Sequence, residues 1–368
     1  MHVRYSYLPQ QFAKIDDLLT ELGQLARSGD FTLGAPVAQF EKRFAELIGT
    51  RHAIGVGSGT DALKLPLAAL GIGPGDEVIT AANTFIATAG AIHEVGARPV
   101  FVDCDDTFCM DVAQVQGAIT DKTKAIMPVH FTGYMTEMEP LMQIARRADL
   151  PVIEDACQAI LADINGQRAG TFGRAAGFSL HPLKNLNVWG DAGVIVTDDD
   201  ELDRKLRLLR NHGMTNRDEI ACFGYNSRLD SVHAVVGNWL VGQTEAIAQT
   251  RIAHATRYDA AFAEIPQIRL PPRPPGRRRV YHLYMIFAEN RDELLATCQA
   301  AGIEAKIHYP IPLYQQVGLR SLGYRAGDFP VADRHAKEII TFPCDQHLST
   351  AELDHVIETV RAFYSRAA

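Results

Sequence analysis

Residues 52–70 read HAIGVGSGTDALKLPLAAL, a short β-rich run, a turn of small residues and an apolar helical stretch. Six more short apolar runs follow, each bounded by turn residues: EVIT (77–80), PVFVD (99–103), KAIMPV (124–129), PVIE (151–154), AAGFSL (175–180) and GVIVT (193–197). Strands that are apolar throughout are buried on both faces by helices. Because amphipathic stretches lie between several of the runs, the pattern predicts an α/β fold with a large, mostly parallel sheet.

We expect two domains. Residues 1–230 would form a large α/β domain that includes an N-terminal helix, and 231–368 a long connecting helix followed by a small C-terminal α+β domain. That helix is expected to run from about residue 230 to 263. The stretch RLPPRPPGRRR (269–279) is predicted to be a stiff, exposed connector, since proline runs favour extended polyproline geometry. Anion binding by its arginines is the alternative.

Composition excludes several classes of protein. The 368 residues carry 36 Lys and Arg against 44 Asp and Glu, and a net charge of −8 argues against nucleic-acid binding. The six cysteines are scattered and form no C-x-x-C pair, which argues against a disulfide scaffold or a cysteine zinc site. The histidines show no H-x-x-x-H spacing, so we predict no metal site.

Targeting signals are not found in the sequence. The first ten residues, MHVRYSYLPQ, lack the apolar core of a signal peptide. No apolar stretch reaches the roughly 20 residues that a membrane-spanning helix needs. We therefore expect a soluble, cytoplasmic protein that binds no membrane.

The turn GSGTD (57–61) is the first of three features that follow predicted strands, where open α/β sheets bind ligands. Its small residues allow backbone N–H groups to approach an anion, and the dipole of the following helix attracts negative charge. The turn is therefore a candidate phosphate site. An ordinary helix N-cap is an equally good interpretation.

The second feature is Asp155, directly after the strand PVIE, with Gln158 three residues later. A carboxylate at a strand end can pair with a cationic group of a ligand, although a helix N-cap would use the same residue type. The third is Lys184 in SLHPLKN (179–185), a lysine in a turn after an apolar strand. Desolvation lowers the pKa of such an amine and makes it a nucleophile. Together, the three features match the requirements of pyridoxal phosphate.

Twelve segments resemble the DegT/DnrJ/EryC1/StrS family of pyridoxal-phosphate sugar aminotransferases, and they occur in the family's order over about residues 31–363. They are FTLGAPVAQFEKRFAELIG, HAIGVGSGTDAL, GIGPGDEVIT, NTFIATAGAI, KAIMPVH, VIEDACQA, RAGTFG, FSLHPLKN, LRNHG, GYNSRLD, IHYPIPLY and FPVADR. This resemblance implies the type I aminotransferase fold. It also implies a set of cofactor-binding residues: Gly59, Thr60, Phe85, Asp155, Gln158, Ser179, Lys184 and Asn226.

The resemblance assigns each of these residues a role. Lys184 would be the catalytic residue, which binds the cofactor aldehyde. Asp155 would keep the pyridine nitrogen protonated, Gln158 would contact the 3-oxygen, and Phe85 would stack on the ring unless it is a core aromatic. The remaining residues would bind the phosphate: Gly59, Thr60, Ser179 and, from the neighbouring subunit of a homodimer with shared active sites, Asn226. We expect Asn226, just before the connecting helix, to lie well outside the cluster of strand ends.

Substrate residues are expected where the chain departs from the family pattern or follows a strand. His181 and Trp189 flank the lysine turn, and Tyr314 replaces a usual histidine. His308 and Tyr309 end the strand EAKIHY, and His130 ends KAIMPV. For the two strand-end histidines, His130 and His308, a structural role is the alternative.

The resemblance implies a ping-pong aminotransferase that takes its amino group from L-glutamate. Its acceptor would be a nucleotide-linked keto-deoxy-sugar, for polysaccharides or glycosylated natural products. A keto sugar without a nucleotide, such as a keto-octulosonate, is the main alternative. Two further alternatives are a pyridoxamine-dependent sugar dehydratase, against which Lys184 argues, and a non-catalytic regulator.

Overall fold

The computed structural model describes residues 1–366 as alternating helices and strands. The helices are α1 (Leu8–Gln11), α2 (Asp16–Ser28), α3 (Ala35–Ile48), α4 (Gly59–Ala69), α5 (Ile86–Glu94), α6 (Val112–Ala118), α7 (Met138–Ala148), α8 (Asp200–Leu209), α9 (Ser231–Val241), α10 (Thr244–Phe262), α11 (Arg291–Ala300), α12 (Pro330–Glu338) and α13 (Thr350–Arg366). The strands are β1 (His52–Val56), β2 (Glu77–Ala81), β3 (Arg98–Val102), β4 (Thr123–Met127), β5 (Ile153–Asp155), β6 (Asp163–Ile164), β7 (Gln167–Arg168), β8 (Ala175–Ser179), β9 (Gly193–Thr197), β10 (Ile268–Arg269), β11 (Arg277–Arg278), β12 (Tyr284–Ala288) and β13 (Ile339–Phe342). Short 3₁₀ helices span Leu313–Gln315 and Val317–Leu322.

The large sheet has the order β1-β9-β8-β5-β4-β2-β3. Strand β9 runs antiparallel to both of its neighbours, and the other pairs are parallel. Strand β5 joins β4 through single parallel bridges, one of which pairs Val129 with Asp155. Because the strands are almost wholly buried, their apolar sequences pack against helices on both faces. The predicted α/β fold with a mostly parallel sheet is confirmed.

A second core lies under the smaller sheet β10-β12-β13 and the helices α10, α11 and α13. The first residues of the chain belong to this core rather than to the large sheet. Val3 forms a parallel bridge with Ile303, and Val3 and Tyr7 are buried among the residues of the second core. Residues 3–11, which we call the N-terminal arm, thus contact the C-terminal part of the chain.

Packing divides the chain differently from the predicted boundary at residue 230. The expected long helix is wrong: it is two helices, α9 and α10, and α9 packs against α3 in the first core. Gly242 and Gln243 separate them, and α10 packs mainly in the second core. Helix α9 is apolar almost all round, which suits a helix buried against the large sheet.

The arginine-rich connector is not the exposed segment that its composition predicts. Four of its arginines form ion pairs with carboxylates elsewhere in the chain: Arg269 with Asp106 and Glu338, Arg273 with Asp259, Arg277 with Glu137, and Arg278 with Glu245. The guanidinium of Arg279 lies over the ring of Tyr134, 4.7 Å from its centroid. The segment therefore ties elements of the two cores together. Among residues 1–366, no helix is long and apolar enough to span a membrane.

Candidate active site

A cleft with about 650 Å³ of empty space, partly open to solvent, lies past the carboxyl ends of the parallel strands. We call it the cofactor cleft. Its lining includes all three features that the sequence indicated. The turn 57–61 contributes residues 58–60, and the other two features contribute Asp155 with Gln158 and Lys184 with Ser179. Parallel strands all end at one edge of the sheet, which is why turns distant in sequence meet there.

The turn after β1 both caps a helix and forms one wall of the cleft. Ser58 is the N-cap of α4, and its hydroxyl accepts a hydrogen bond from the Asp61 amide at 3.0 Å. A side chain at Gly59 would lie 2.7 Å from Cβ of Ser179, so only glycine fits there. Gly193 is packed just as closely, because a Cβ added there would lie 2.2 Å from the Ser58 carbonyl oxygen. The N-terminal amides of α4 are thereby held beside Ser179 at the cleft wall, where they favour an anion.

Asp155 is almost fully buried, and donors from the chain hold both of its oxygens. Oδ2 accepts a hydrogen bond from the Thr88 hydroxyl at 2.7 Å, and Oδ1 accepts one from the Cys157 amide at 3.1 Å. The hydroxyls of Thr84 and Thr88 are also hydrogen-bonded, at 2.7 Å. A turn rather than a helix follows Asp155, so the residue is not a helix N-cap. The arrangement fixes the position of a carboxylate at the cleft surface.

The lysine turn is held by hydrogen bonds at both ends. Leu180 donates its amide to the Ala192 carbonyl at 2.9 Å, and Val188 donates to the Leu180 carbonyl at 2.9 Å. Within the turn, the buried side chain of Asn187 donates to the Lys184 carbonyl at 2.9 Å. Asn185 donates to the Val280 carbonyl at 3.0 Å. The backbone that carries Lys184 is therefore fixed on both sides of the residue.

The Lys184 amine has no hydrogen-bond or ion-pair partner within the described residues 1–366. Burial lowers the pKa of this amine, while the neighbouring Cys157 and Asp155 oppose the shift. A lower pKa leaves more of the amine neutral, and the neutral form is the nucleophile and the base. Lys184 therefore has the properties that a reactive lysine requires.

Phe85 lies on the wall of the cofactor cleft with half of its side chain exposed (51%), so it is not a core aromatic. Its ring centroid is 6.2 Å from that of Tyr309. Gln158 also lines the cleft, and its side-chain oxygen accepts a hydrogen bond from the Thr132 amide at 2.7 Å. That bond leaves the side-chain NH₂ of Gln158 available to a ligand.

His130 is fully buried. It was expected at the substrate, with a structural role as the alternative; it has that structural role, although it also lines the cleft. Its Nε2 lies 2.9 Å from Oε2 of Glu154, which is likewise fully buried. Glu154 also accepts hydrogen bonds from the amides of Gly170, Phe172 and Gly173. Four donors therefore satisfy the buried carboxylate of Glu154, the strand residue before Asp155. These hydrogen bonds hold the 170–173 turn against β5.

The residues expected to contact substrate fall into two groups. His181 lines the cofactor cleft, and its Nδ1 accepts a hydrogen bond from the Leu183 amide at 3.2 Å. Trp189 does not line it and packs edge-on against Phe12, at 5.6 Å between ring centroids. Tyr314 is also outside the cleft: it is buried, and its hydroxyl donates to Asp333 at 2.5 Å. Of the three, the structure brings only His181 to the cofactor cleft.

His308 and Tyr309 lie beside the cleft. Burial lowers the pKa of His308 to about 4, with Lys306 and Lys184 adding to the shift. Its Nδ1 lies 2.9 Å from the Thr341 hydroxyl. Burial raises the pKa of Tyr309 to about 12, and the charge of Asp155 adds to that shift. Both side chains are thus neutral at pH 7.

Asn226 is exposed and does not line the cofactor cleft of its own chain. Its neighbour Ser227 donates to Asp61 at 2.7 Å and accepts a hydrogen bond from the Gly57 amide at 3.1 Å. The expectation that this segment lies well outside the cluster of strand ends is therefore wrong. Which subunit's cofactor Asn226 would contact stays a prediction.

Sequence reasoning missed Thr88 and the two asparagines of the lysine turn. Thr84 and Thr88 are spaced i, i+4, which places their hydroxyls on one side of a helical turn. Asn185 and Asn187 follow the lysine at the first and third positions, and both are buried. Two asparagines between apolar residues in a turn were the available signal, because side chains of this type often hydrogen-bond the backbone of turns.

Whether the cleft fits pyridoxal phosphate can be judged from its residues. An unpartnered amine, a fixed carboxylate and the N-terminus of α4 line one space. The tight packing at Gly59 leaves the amides at this wall free of side-chain cover. These groups match the aldehyde, the ring nitrogen and the phosphate of that cofactor, so the residues fit it.

Comparisons with known proteins agree with this geometry. Residues 13–361 match the DegT/DnrJ/EryC1/StrS aminotransferase family. The chain is 42% identical, over the full length of both chains, to a Geobacillus stearothermophilus protein named "Pleiotropic regulatory protein". It is 41% identical, over 94% of this chain and 93% of the other, to the UDP-N-acetyl-3-dehydro-alpha-D-glucosamine 3-aminotransferase of Acidithiobacillus ferrooxidans.

Among solved structures, DesV of S. venezuelae in complex with a ketimine intermediate superposes with a TM-score of 0.97. The two chains are 36% identical, and 99% of each is covered. A match over nearly the whole chain, in sequence and in fold, does not depend on the site alone. The protein therefore belongs to the DegT/DnrJ/EryC1/StrS family of aminotransferases.

Proposed function

We propose that this aminotransferase uses pyridoxal phosphate to transfer an amino group from L-glutamate to a keto sugar in amino-sugar biosynthesis. The observation that carries the proposal is the unpartnered Lys184 amine, whose pKa burial lowers, in one cleft with the fixed carboxylate of Asp155. A purely structural lysine would be paired or solvated.

The residues of the cofactor cleft divide the binding among them. Gly59, Thr60 and Ser179 would hold the phosphate, and Asp155 would pair with the ring nitrogen. Phe85 would cover the ring, and Gln158 would donate to the ring's 3-oxygen through its NH₂ group. When bound, pyridoxal phosphate supplies an aldehyde for the amino group and a ring that accepts electron density.

Lys184 carries the proton transfers. Its neutral amine would take a proton from the α-carbon of the donor and release it at the carbon that carries the cofactor aldehyde, acting as base and then as acid. Asp155 keeps negative charge at a fixed point of the cleft because Thr88 and the Cys157 amide hold it. The neutral Tyr309 beside Asp155 adds no charge of its own.

The acceptor we propose is a nucleotide-linked keto-deoxy-sugar. Several relatives are named for such substrates, for example a dTDP-3-amino-3,4,6-trideoxy-alpha-D-glucose transaminase of Streptomyces venezuelae at 38% identity. A wide, largely apolar cleft of about 550 Å³, open to solvent, extends from Phe85 and Ile86 to Tyr309, Ile311 and Leu313. It adjoins the cofactor cleft through Thr84 and Phe85, and it offers space for the part of an acceptor that extends beyond the sugar.

We also propose that the active unit is a homodimer in which Asn226 reaches the partner's cofactor phosphate. Asn226 is exposed, and the segment before it carries unusually exposed apolar side chains. Phe223 is fully exposed, and Ile220 and Tyr225 are exposed as well. Large exposed apolar residues that cluster in one segment favour an interface.

The test is a half-reaction followed by an acceptor screen. Purified protein with pyridoxal phosphate is mixed with L-glutamate, and the cofactor absorbance and 2-oxoglutarate are measured. Keto sugars with and without a nucleotide are then supplied to the aminated enzyme. We expect stoichiometric 2-oxoglutarate and turnover only with nucleotide-linked sugars. Cofactor binding without any glutamate conversion would contradict the proposal and favour a regulator, the function for which one relative is named.

A further inference from the structure

One serine hydroxyl joins the two ends of the turn between β1 and α4. We call residues 57–61 the phosphate turn. The hydroxyl of Ser227 accepts a hydrogen bond from the Gly57 amide at 3.1 Å and donates one to Oδ2 of Asp61 at 2.7 Å. Gly57 and Asp61 are the first and last residues of the turn, and Ser227 lies 166 residues beyond Asp61. A distant segment of the chain therefore bridges the turn.

This bridge supports the turn from outside the cofactor cleft. Residues 58–60 line the cleft, whereas the three residues of the bridge do not. Ser227 is almost fully buried, with 3% of its surface exposed. On the cleft side, the close packing of Gly59 against Ser179 holds the middle of the turn. Ser227 can therefore act on a ligand in the cleft only through the turn that it holds.

Ser227 is itself fixed in position. Its backbone amide donates to the Arg210 carbonyl at 2.9 Å. The guanidinium of Arg210 in turn donates to the Gly55 carbonyl at 2.8 Å and forms a buried ion pair with Glu41. Gly55 belongs to β1, the strand that leads into the phosphate turn. A side chain can position its neighbours only when its own place is fixed, and Ser227 meets this condition.

The bridge also controls a negative charge next to the phosphate turn. Oδ1 of Asp61 lies 2.6 Å from the Lys64 amine, which also pairs with Glu94 at 3.0 Å. Burial alone would lower the pKa of Lys64, but its hydrogen bonds to Asp61 and Glu94 raise it, so the amine stays charged at pH 7. Since Ser227 holds the other oxygen, both oxygens of Asp61 have partners outside the cleft. The carboxylate is thus kept from repelling an anion at the N-terminus of α4.

We propose that Ser227 is a positioning residue for the cofactor phosphate, because its hydroxyl fixes the amides of the phosphate turn and holds the Asp61 carboxylate away from them. This inference rests on the proposed function and adds to it a residue that does not touch the cofactor. Asn226 is proposed to reach the partner's phosphate, whereas Ser227 acts on the phosphate of its own chain. Two consecutive residues then serve the two sites of the dimer.

The experiment compares Ser227→Ala with Ser231→Ala. Ser231 is a matched control, because it is fully buried in the same segment and its hydroxyl has no hydrogen-bond partner among residues 1–366. The probes are pyridoxamine phosphate and pyridoxamine, which differ only in the phosphate and lack an aldehyde that could bond to Lys184. Equilibrium dialysis against the full-length, cofactor-free chain gives a Kd for each probe.

We expect Ser227→Ala to bind pyridoxamine phosphate about 10-fold more weakly, the loss typical of one hydrogen bond to a charged group. Its Kd for pyridoxamine should stay within about twofold of wild type, because the ring contacts remain. Ser231→Ala should change neither value. An equal loss for both probes would show that Ser227 only maintains the fold, and it would overturn the proposal.

A double variant separates the phosphate turn from the neighbouring Asn226. If Ser227 acts through the turn of its own chain, Ser227→Ala should weaken pyridoxamine phosphate by the same factor of about 10 when Asn226→Ala is already present, because independent contributions add. No further loss in that background would mean that Ser227 acts by placing Asn226. That result would overturn the proposal.

A second variant guards against a folding failure of Ser227→Ala. Ser227→Cys fills nearly the same space with a weak donor and acceptor, and it should show the same selective loss. Unchanged affinity for pyridoxamine phosphate in either variant overturns the role of Ser227 and, if the wild type prefers the phosphorylated probe, leaves the proposed function intact. A wild type that binds both probes equally well has no phosphate site, which would remove both the proposed cofactor binding and this inference.

Discussion

The two cavities that meet at Lys184 differ in charge and in construction. The cofactor cleft is lined by the acids Asp155 and Asp191, and strand ends of the large sheet build most of it. A second, narrow cavity that Lys184 also lines contains His282 and the ion pair of Arg251 with Asp345, and segments from distant parts of the chain build it. One lysine thus borders two environments, an acidic one suited to a cationic ring nitrogen and one in which the charges are paired.

This difference favours the cofactor cleft as the side on which Lys184 reacts. A lysine that takes and releases a proton must be neutral for part of the cycle, and burial lowers its pKa. The paired charges of the second cavity offer a ligand no free charge. The variants below separate the two cavities, beginning with the residue that both share.

Lys184→Ala should have the largest effect, because it removes the amine common to both cavities. We expect conversion of glutamate to 2-oxoglutarate to fall by at least about 10⁴-fold, the upper range for loss of a general base. The melting temperature should remain close to wild type. Lys205→Ala, on the exposed face of α8, is the control and should keep full activity. Near-normal conversion in Lys184→Ala would remove the lysine from the mechanism.

Asp155→Asn tests the cofactor cleft alone. The change removes the charge and keeps the shape, and we expect a rate loss of about 10²-fold, or roughly 3 kcal/mol of transition-state stabilisation. Asp121→Asn, at an exposed turn, serves as the control. An unaltered rate in Asp155→Asn would show that its carboxylate is only structural.

Asn226→Ala tests whether the cofactor cleft is completed by a second subunit. We expect pyridoxal phosphate binding to weaken by about 1–3 kcal/mol, the cost of leaving a buried partner unpaired. The chain should sediment as a dimer or a dimer of dimers. Mixed dimers of the Lys184→Ala and Asn226→Ala chains should recover part of the activity, since each carries one intact site. A fully active monomer, or proven mixed dimers without recovery, would contradict the shared site.

The smallest effect concerns stability and pH. The folded protein lowers the pKa of Lys184, whose value in an unfolded chain is about 10.4. The unfolded state therefore binds more protons between the two pKa values, and the folded state gains stability as the pH rises through that window. Lys184→Met should stabilise the apoprotein at pH 7, because it removes the cost of burying the amine. This gain should shrink towards pH 10, and denaturant unfolding at several pH values measures it. A constant gain would mean that the amine is not desolvated.

The cofactor cleft was largely predictable and the placement of the substrate residues was not. Glycine and serine after a strand, an aspartate at a strand end and a lysine in a turn keep their positions because each is tied to the strand that precedes it. Trp189 and Tyr314 were expected at the substrate, yet Trp189 packs on Phe12 and Tyr314 is buried against Asp333. Their partners lie on other elements, and no local pattern indicates which way such a side chain turns.

The sequence by itself determined the α/β alternation and the residues at the strand ends, because both depend on interactions between residues close together in the chain. Its motifs, in their order along the chain, also determined the family. Only the tertiary structure decided the break of the long helix at Gly242, the pairing of the arginine-rich connector and the position of the N-terminal arm. The narrow cavity lined by Lys184, Arg251 and Asp345 belongs to this second group. Its lining residues stand in separate segments, and their meeting depends on how the two cores pack, which local residue patterns do not encode.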